Sequence, residues 1–212
     1  MLAVIFCVFA KDVRADVFVW QDPVSGASLS FPDTWTVVHN QAADDVVSIA
    51  APGITDAQDH AMCRMRVRDD RRFGLYPVRY SDNLQRLYIS GAFWEDYALT
   101  YDNPTVEVVQ NNKGLGRGFA SYAELAYDSV RGPRLPKKAM ALASLYNGRV
   151  YIVECSAEAV AFAGYRRDFL GIMKSVDFRK SVYGAPHAPY RNFLNDRNTR
   201  IYGERLIDSY DF

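Results

Sequence analysis

The stretch AMALASLYNGRVYIVECS, residues 139–156, decides the fold class of this chain. Two runs rich in apolar, β-branched and aromatic residues stand on either side of Asn147-Gly148, which is the strongest dipeptide signal for a two-residue β-turn. The stretch therefore predicts an antiparallel hairpin whose strands are residues 139–146 and 149–156.

More strands are predicted on the amino-terminal side of this hairpin. From residue 16 to about residue 70, short β-forming runs are divided by turn residues such as Asp22-Pro23. Residues 61–68 alternate strictly between an apolar face and a basic face, formed by Cys63, Met65 and Val67 and by Arg64, Arg66 and Arg68. The alternation predicts a half-buried antiparallel strand with a solvated basic face.

Two further strands, residues 105–110 and 118–130, are predicted ahead of the central hairpin. The run from Asn111 to Gly114 is a hairpin signal between them. The glycines at 114, 116 and 118 have the composition of a phosphate-binding loop, but such loops lead into a helix, and here a strand follows. The sequence therefore favours a flexible hairpin over a phosphate site.

Helical periodicity occupies two stretches. Residues 81–101 repeat apolar side chains at helical spacing, with Gly91 costing about 1 kcal/mol inside the helix and Asn103-Pro104 ending it. Residues 159–176 carry a second apolar stripe. After Phe178 the periodicity vanishes, so residues 179–212 are predicted to form an extended arm.

Composition limits the class of protein. A chain of 212 residues suits one large α/β domain, or one domain with an appendage, better than two full domains. A content of 49% hydrophobic and 24% charged residues excludes wholesale disorder and coiled coil. Lysine and arginine together number 25, as do aspartate and glutamate. This balance argues against a nucleic-acid partner that is bound by bulk positive charge.

The first residues resemble an export signal. Residues 2–10 are uninterruptedly apolar but far shorter than the roughly 20 residues that a membrane-spanning helix needs. Val13 and Ala15 then place small or modest side chains at the −3 and −1 positions of a cleavage site. We expect a signal peptide at residues 1–15 and a periplasmic mature chain from Asp16. A buried first strand is the alternative.

Three local pieces accompany this order of elements. They are LSFPDTW at residues 29–35, VYIVECSA at 150–157 and FLGIMKSVDF at 169–178. Together they resemble the PsbP/Mog1-like superfamily over residues 17–178. The resemblance implies an α+β fold in which helices sandwich an antiparallel β-sheet, with the arm outside it. It also implies an accessory or binding role, and it brings no catalytic residues with it.

Few residues are candidates for chemistry. Cys63 and Cys155 lie on the apolar faces of their strands and form either a disulfide in an oxidising periplasm or two buried thiols. His39, His60 and His187 are scattered without metal-binding spacing. The pair Asp44-Asp45 lacks a calcium-loop pattern and is interpreted as turn residues. No catalytic residue, metal ligand or cofactor is predicted.

A basic loop and the arm are the candidate contact surfaces. The loop concentrates Arg131, Arg134, Lys137 and Lys138, either as an anion patch for lipid headgroups or an acidic partner, or as a solvated loop tip. The arm has too many apolar side chains for a solvating tail, and these must bury on the domain or on a partner. The candidate partner-binding residues of the arm are Tyr190, Phe193, Tyr202, Leu206, Tyr210 and Phe212.

The sequence thus favours an exported, non-enzymatic module that assembles or stabilises a cell-envelope protein complex through its arm. Peripheral contact with a membrane surface through the basic loop belongs to this hypothesis. The alternative is a periplasmic small-molecule or lipid-binding protein with an apolar pocket between sheet and helix. The expected organisation is signal peptide 1–15, domain 16–178 and arm 179–212.

Overall fold

The structure is a computed structural model that describes residues 16–40, 42–52, 61–70, 81–129 and 134–179. The predicted signal peptide and the arm beyond Arg179 lie outside the described residues. Elements within these ranges are, in chain order, β1 (Val17–Gln21), β2 (Ser28–Pro32), β3 (Thr36–Val38), β4 (Asp45–Ala50), β5 (Met62–Asp69), α1 (Ser81–Tyr88), α2 (Gly91–Ala98), β6 (Asp102–Leu115), β7 (Gly118–Asp128), β8 (Pro136–Tyr146), β9 (Arg149–Glu158) and α3 (Phe162–Lys174).

Seven of these strands form one antiparallel sheet in the order β3-β4-β5-β9-β8-β7-β6, and β1 pairs with β2 as a separate hairpin. Within each half of the sheet, β3 to β5 and β6 to β9, every strand pairs with its neighbour in sequence. The β5–β9 pairing joins the halves and runs from Met62 opposite Ser156 to Asp69 opposite Arg149. Because it links distant parts of the chain, it decides how the sheet closes.

Each face of the large sheet carries its own core. On one face α3 and β2 cover a cluster whose largest side chains include Leu29, Ile49, Met65, Tyr122, Phe169 and Phe178. On the other face α1 and α2 cover a cluster that includes Ile89, Trp94, Tyr97, Leu125, Tyr127 and Ile152. Helices thus sandwich an antiparallel sheet, and the α+β fold class is confirmed.

The central hairpin is confirmed with its predicted turn. Tyr146 lies opposite Arg149, and the two residues between them both have positive φ, 49° at Asn147 and 72° at Gly148. A two-residue turn with this geometry matches the right-handed twist of the flanking strands. Asparagine and glycine adopt such backbone angles more readily than other residues, which is why the dipeptide predicts the turn.

The single helix predicted for residues 81–101 is wrong, because two helices occupy this stretch. Ser90 is extended (φ −125°, ψ −164°) and precedes α2, which begins at Gly91. The break lets Ile89 turn into the second core, where it is almost completely buried. Gly91 therefore starts a helix instead of weakening the middle of one.

The turn predicted at residues 111–114 is also wrong, because β6 continues to Leu115 and the chain reverses at Gly116 and Arg117. Asn112 has φ of 73° and lies where the β6–β7 register shifts, so its signal marks a bulge. Pro104, expected to end a helix, stands near the start of β6 instead. This placement is permitted because β6 is an edge strand and does not need every N–H for pairing.

None of the helices in the described part of the chain has the length and apolar character required to cross a membrane.

We expect a chain of residues 16–179 to unfold in one cooperative transition, because both cores close before the arm begins. Phe178, only 2% exposed, is the last large side chain of the first core. A chain ending at Ser175 is the matched control. It lacks Val176 and Phe178 and should lose about 3–6 kcal/mol of unfolding free energy, from about 1.5–3 kcal/mol per buried apolar side chain.

Thermal and urea denaturation measure both chains. A broad, non-cooperative melt of the chain ending at Arg179 would show that the arm completes the core.

Candidate functional site

A buried carboxylate, Glu154 of β9, is the centre of a polar cluster between the sheet and α2. Its Oε2 lies 3.1 Å from Nη2 of Arg64, the residue directly opposite on β5. The Tyr101 hydroxyl donates to the carboxylate at 2.6 and 2.8 Å, and the Tyr97 hydroxyl also donates to it. Tyr127 completes the cluster, with its hydroxyl 3.5 Å from Oε1 and its ring stacked on Tyr101 at 4.0 Å.

The electrostatics keep this cluster in one protonation state. Burial acts to raise the pKa of Glu154, but the Arg64 charge and the tyrosine hydroxyls outweigh it and hold that pKa below its ordinary value. Burial, together with the Glu154 charge, raises the pKa values of Tyr97, Tyr101 and Tyr127. At neutral pH the carboxylate is therefore an ionised acceptor and the tyrosines are protonated donors. Such an arrangement holds elements together and does not exchange protons readily.

The solvated basic face predicted for β5 is wrong at two of its three arginines. Arg64 and Arg66 are buried, at 8% and 6% exposure, because α2 covers this face of the sheet. Arg66 has Nε 3.2 Å from Asp45 Oδ1 and its guanidinium 5.5 Å from the centre of the Tyr97 ring. The partner acids explain the burial, since a buried cation requires a paired charge.

The acidic pair Asp44-Asp45 supplies two of these partners. Asp44 Oδ1 lies 3.3 Å from Arg66 Nε, and its other oxygen pairs with the half-exposed Arg68. Partial burial acts to raise the pKa of Asp44, but the charges of Arg68 and Arg66 outweigh it and lower that pKa. These carboxylates were predicted as turn residues, and they also form ion pairs with arginines of the neighbouring strand β5.

A second polar cluster ties α3 to the opposite face of the sheet. Glu124 of β7 accepts from the Tyr122 hydroxyl at 2.6 Å and from Arg166 of α3 at 2.7 Å. Burial and the Glu124 charge raise the pKa of Tyr122, so this hydroxyl stays a donor. Both faces therefore attach their helix to the sheet through one carboxylate, one arginine and at least one tyrosine.

The apolar pocket expected between sheet and helix is a packed interior where α2 meets the sheet. Trp94 is fully buried there, and its indole N–H donates to the Ser121 hydroxyl at 2.9 Å. The Tyr97 ring fills the space beside it, 5.6 Å from Trp94 between ring centres. These side chains fill the space between α2 and the sheet.

Of the two alternatives for Cys63 and Cys155, a disulfide and two buried thiols, the structure has the disulfide. Cys63 and Cys155 lie directly opposite each other on β5 and β9, with Cα atoms 4.0 Å apart, and the bond joins residues separated by 92 positions. It lies on the face covered by α3, and the neighbouring Arg64–Glu154 pair lies on the face covered by α2. One pair of strands is thus linked on both faces of the sheet.

The basic loop is only partly described. Arg134 pairs with Asp102 at 3.3 Å, and Lys138 pairs with Glu107 at 2.9 Å. An anion at this loop would have to compete with those two carboxylates. Lys137 is buried, and Arg131 lies outside the described residues. The anion patch therefore stays a prediction.

The end of the domain forms a cleft of about 500 Å³ on its surface. Arg117, in the β6–β7 turn, donates to the Phe178 carbonyl at 2.9 Å and pairs with Asp177 at 3.0 Å. The Phe178 ring stacks on Tyr151 at 4.0 Å. Gly26 lets Arg179 approach closely, because a Cβ there would stand 2.8 Å from the Arg179 Cβ. Residues 177–179, the last that the structure describes, are therefore held in a fixed position on the sheet and the β1–β2 hairpin.

The remaining sequence candidates contribute little to a site. His39 is exposed, while His60, His187 and the six partner-binding residues of the arm lie outside the described residues. Within the described ranges, no group of three or more His, Cys, Asp or Glu side chains is placed to hold a metal ion.

Sequence reasoning missed the Glu154 cluster, although a signal was present. Glu154 is the one acidic residue within the otherwise apolar run from 150 to 157. A lone carboxylate in a strand that is otherwise apolar indicates a buried cation nearby, and the alternating arginines of β5 were the available candidates.

No family model matches the sequence, and no curated protein matches it. Among solved structures the fold is similar to that of CyanoP, the cyanobacterial PsbP from Synechocystis sp. PCC 6803. The TM-score is 0.50 at 12% identity, over 82% of this chain and 98% of that one. It is similar also to LpqN, which is involved in cell envelope biogenesis of Mycobacterium tuberculosis. There the TM-score is 0.50 at 11% identity, over 78% and 91% of the two chains. These similarities confirm the PsbP-like fold.

Replacing Glu154 by Gln should lower the free energy of unfolding at neutral pH by about 3–5 kcal/mol, because Arg64 then stays buried without its charge partner. The exposed Glu95 of α2 is the matched control, and Glu95→Gln should change it by less than about 0.5 kcal/mol. Urea denaturation measures both. A loss at Glu154→Gln no larger than that of the control would contradict the structural role of the cluster.

The pH dependence follows from the lowered pKa of Glu154. Its stabilising contribution is complete above the ordinary value of 4.5 and is lost as the pH falls through the lower folded-state value. The stability of the parent should therefore fall more steeply below about pH 4.5 than that of Glu154→Gln, by up to about 1.4 kcal/mol per pH unit.

Proposed function

We propose that this chain is an exported, non-enzymatic accessory module that assembles or stabilises a larger protein complex of the cell envelope. It contacts that complex through its C-terminal arm. The observation that carries the proposal is the fixed end of the domain, where Arg117 holds Asp177 and Phe178. An arm that starts from a fixed point can present its side chains to a partner in a defined place.

The composition of the arm supports a contact role. Its distal part contains large apolar side chains at Tyr202, Leu206, Tyr210 and Phe212. Burying each is worth about 1.5–3 kcal/mol, which leaves useful binding energy after the entropy of ordering the arm is subtracted. Tyrosine is among the residue types enriched at such interfaces.

The use of charge inside the domain supports a non-enzymatic role. Glu154 and Glu124 are each bound by an arginine and by tyrosine hydroxyls. These bonds hold α2, α3 and the sheet together. A catalytic acid or base needs access to a substrate and a pKa near the working pH, whereas Glu154 is buried and its pKa is lowered.

The Cys63–Cys155 disulfide supports export, because disulfides persist in oxidising compartments and are rare in the cytosol. A mature chain that begins at Asp16 retains both cysteines and loses Cys7 with the signal peptide. The fold is compatible with this setting, since LpqN, an envelope-biogenesis protein, has a similar one.

Replacing Tyr202, Leu206 and Tyr210 together by Ser should release the protein from its native complex, because their apolar contacts with the partner are lost. The melting temperature should stay almost unchanged. Affinity purification from the native envelope, followed by mass spectrometry, identifies the retained partners. The matched control replaces Asn195, Asn198 and Thr199 by Ser and should keep them.

Two outcomes would contradict the proposal. A collapse of the melt in the Tyr202, Leu206 and Tyr210 variant would show that these side chains belong to the core of the domain. Retention of the same partners by that variant would show that the contact surface lies elsewhere.

A further inference from the structure

The outer edge of β1 is an unpaired, apolar strand edge in the described part of the chain. Val17 is 60% exposed, Phe18 51% and Val19 65%, and the strand has neither a charged residue nor a proline. An apolar edge of this kind is a ready template for another strand, and proteins normally protect or cover it.

Backbone geometry shows which groups point outward from β1. The Asp33 amide donates to the Asp16 carbonyl at 3.0 Å. Further along, the Asp22 amide donates to the Ala27 carbonyl at 2.8 Å. In an antiparallel pair, hydrogen-bonded positions alternate, so the even-numbered residues of β1 bond to β2. The residues that turn their N–H and C=O groups away from β2 are Val17, Val19 and Gln21.

The other side of the same hairpin is already covered. Ser28 and Asp177 exchange both of their backbone hydrogen bonds, each at 2.9 Å. The Ser30 amide donates to the Ser175 hydroxyl at 2.7 Å, and Pro32 has no N–H to satisfy. Residues 175–177 thus cap the outer edge of β2, and among the described residues the β1 edge is the side of the hairpin that stays uncovered.

The far edge of the large sheet is protected in a different way. Strand β6 carries Pro104, the charged Glu107 and three register irregularities against β7. Such features prevent a further strand from pairing. Strand β1 has none of them, and its register against β2 is unbroken. The contrast indicates that the β1 edge is built to receive a strand.

The chain leaves the domain beside this edge. Asp177 runs antiparallel to β2, and Arg179 packs on Gly26 at the turn of the hairpin, next to Gln21. Passing around the turn to the outer side of β1 spans three strand spacings, about 14 Å, which about five extended residues can cross. A segment arriving from there would run from Gln21 toward Val17, antiparallel to β1.

The sequence beyond Arg179 contains a segment of matching character. Residues 190–194, YRNFL, follow Pro186 and Pro189, are free of proline and equal β1 in length. The polar residues 195–200 separate this proximal segment from residues 201–212, which hold the distal apolar side chains of the arm. Each residue of the proximal segment therefore has a backbone N–H to donate. Its apolar side chains are available to pack on Val17, Phe18 and Val19.

We propose that residues 190–194 pair antiparallel with the outer edge of β1 and extend the β1–β2 hairpin to three strands. Tyr190 and Phe193 then cover the domain, and the distal residues stay available to a partner. The inference goes beyond the proposed function, because the pairing occurs within one chain whether or not a partner is bound.

Amide hydrogen exchange of the full mature chain, followed by NMR, tests this pairing. The N–H groups of Val17, Val19 and Gln21 should be protected, and Asn192→Pro should raise their exchange rates by about tenfold or more, since proline removes a donor and fixes the backbone. The matched control Asn198→Pro, in the polar spacer, should leave them protected. The amides of Phe18 and Trp20, which bond to β2, report that each variant is folded.

Three results would overturn the proposal. The first is exchange of the Val17, Val19 and Gln21 amides at unprotected rates in the unaltered chain. The second is protection that survives Asn192→Pro. The third is protection that disappears on dilution, which would identify a second copy of the chain as the strand that covers β1.

Discussion

The pairing of β5 with β9 is the constraint on which the rest of the structure depends. It joins two halves of the sheet, each built from neighbours in sequence, and adjacent residue pairs link it on both faces. Cys63 bonds covalently to Cys155 on one face, and Arg64 pairs with Glu154 on the other. A slip of one residue would turn each side chain to the opposite face, so both links would be lost together.

Each face of the sheet then holds its helix through a carboxylate, Glu154 of β9 on one face and Glu124 of β7 on the other. Glu154 binds the hydroxyls of Tyr97 in α2 and Tyr101 just beyond it, which places α2 over the arginines of β5. On the opposite face, Glu124 binds Arg166 of α3, and α3 leads directly to Asp177 and Phe178. The position of these last described residues is therefore a consequence of how the sheet closes and how α3 packs on it.

Features that depend on local sequence were predictable, and features that depend on distant partners were not. Asn147-Gly148 fixes its own turn, and the strands around it were predicted correctly at the turn and within three residues at their outer ends. The burial of Arg64 required Glu154, 90 residues later, and the helix α2 packed over it. The break before α2 had a local signal in Ser90-Gly91, but the packing of α2 on β5 had none. The alternation of β5 was recognised correctly, but whether its basic face was solvated depended on α2, whose packing the pattern does not contain.

The redox state of Cys63 and Cys155 in protein from its own cells tests this account most directly. Free thiols are blocked at lysis, and the digested protein is mapped by mass spectrometry without reduction. The account predicts one pair of peptides joined through Cys63 and Cys155. Recovery of both cysteines as blocked free thiols would contradict it, because the covalent link between β5 and β9 would be absent and the main support for export would be removed with it.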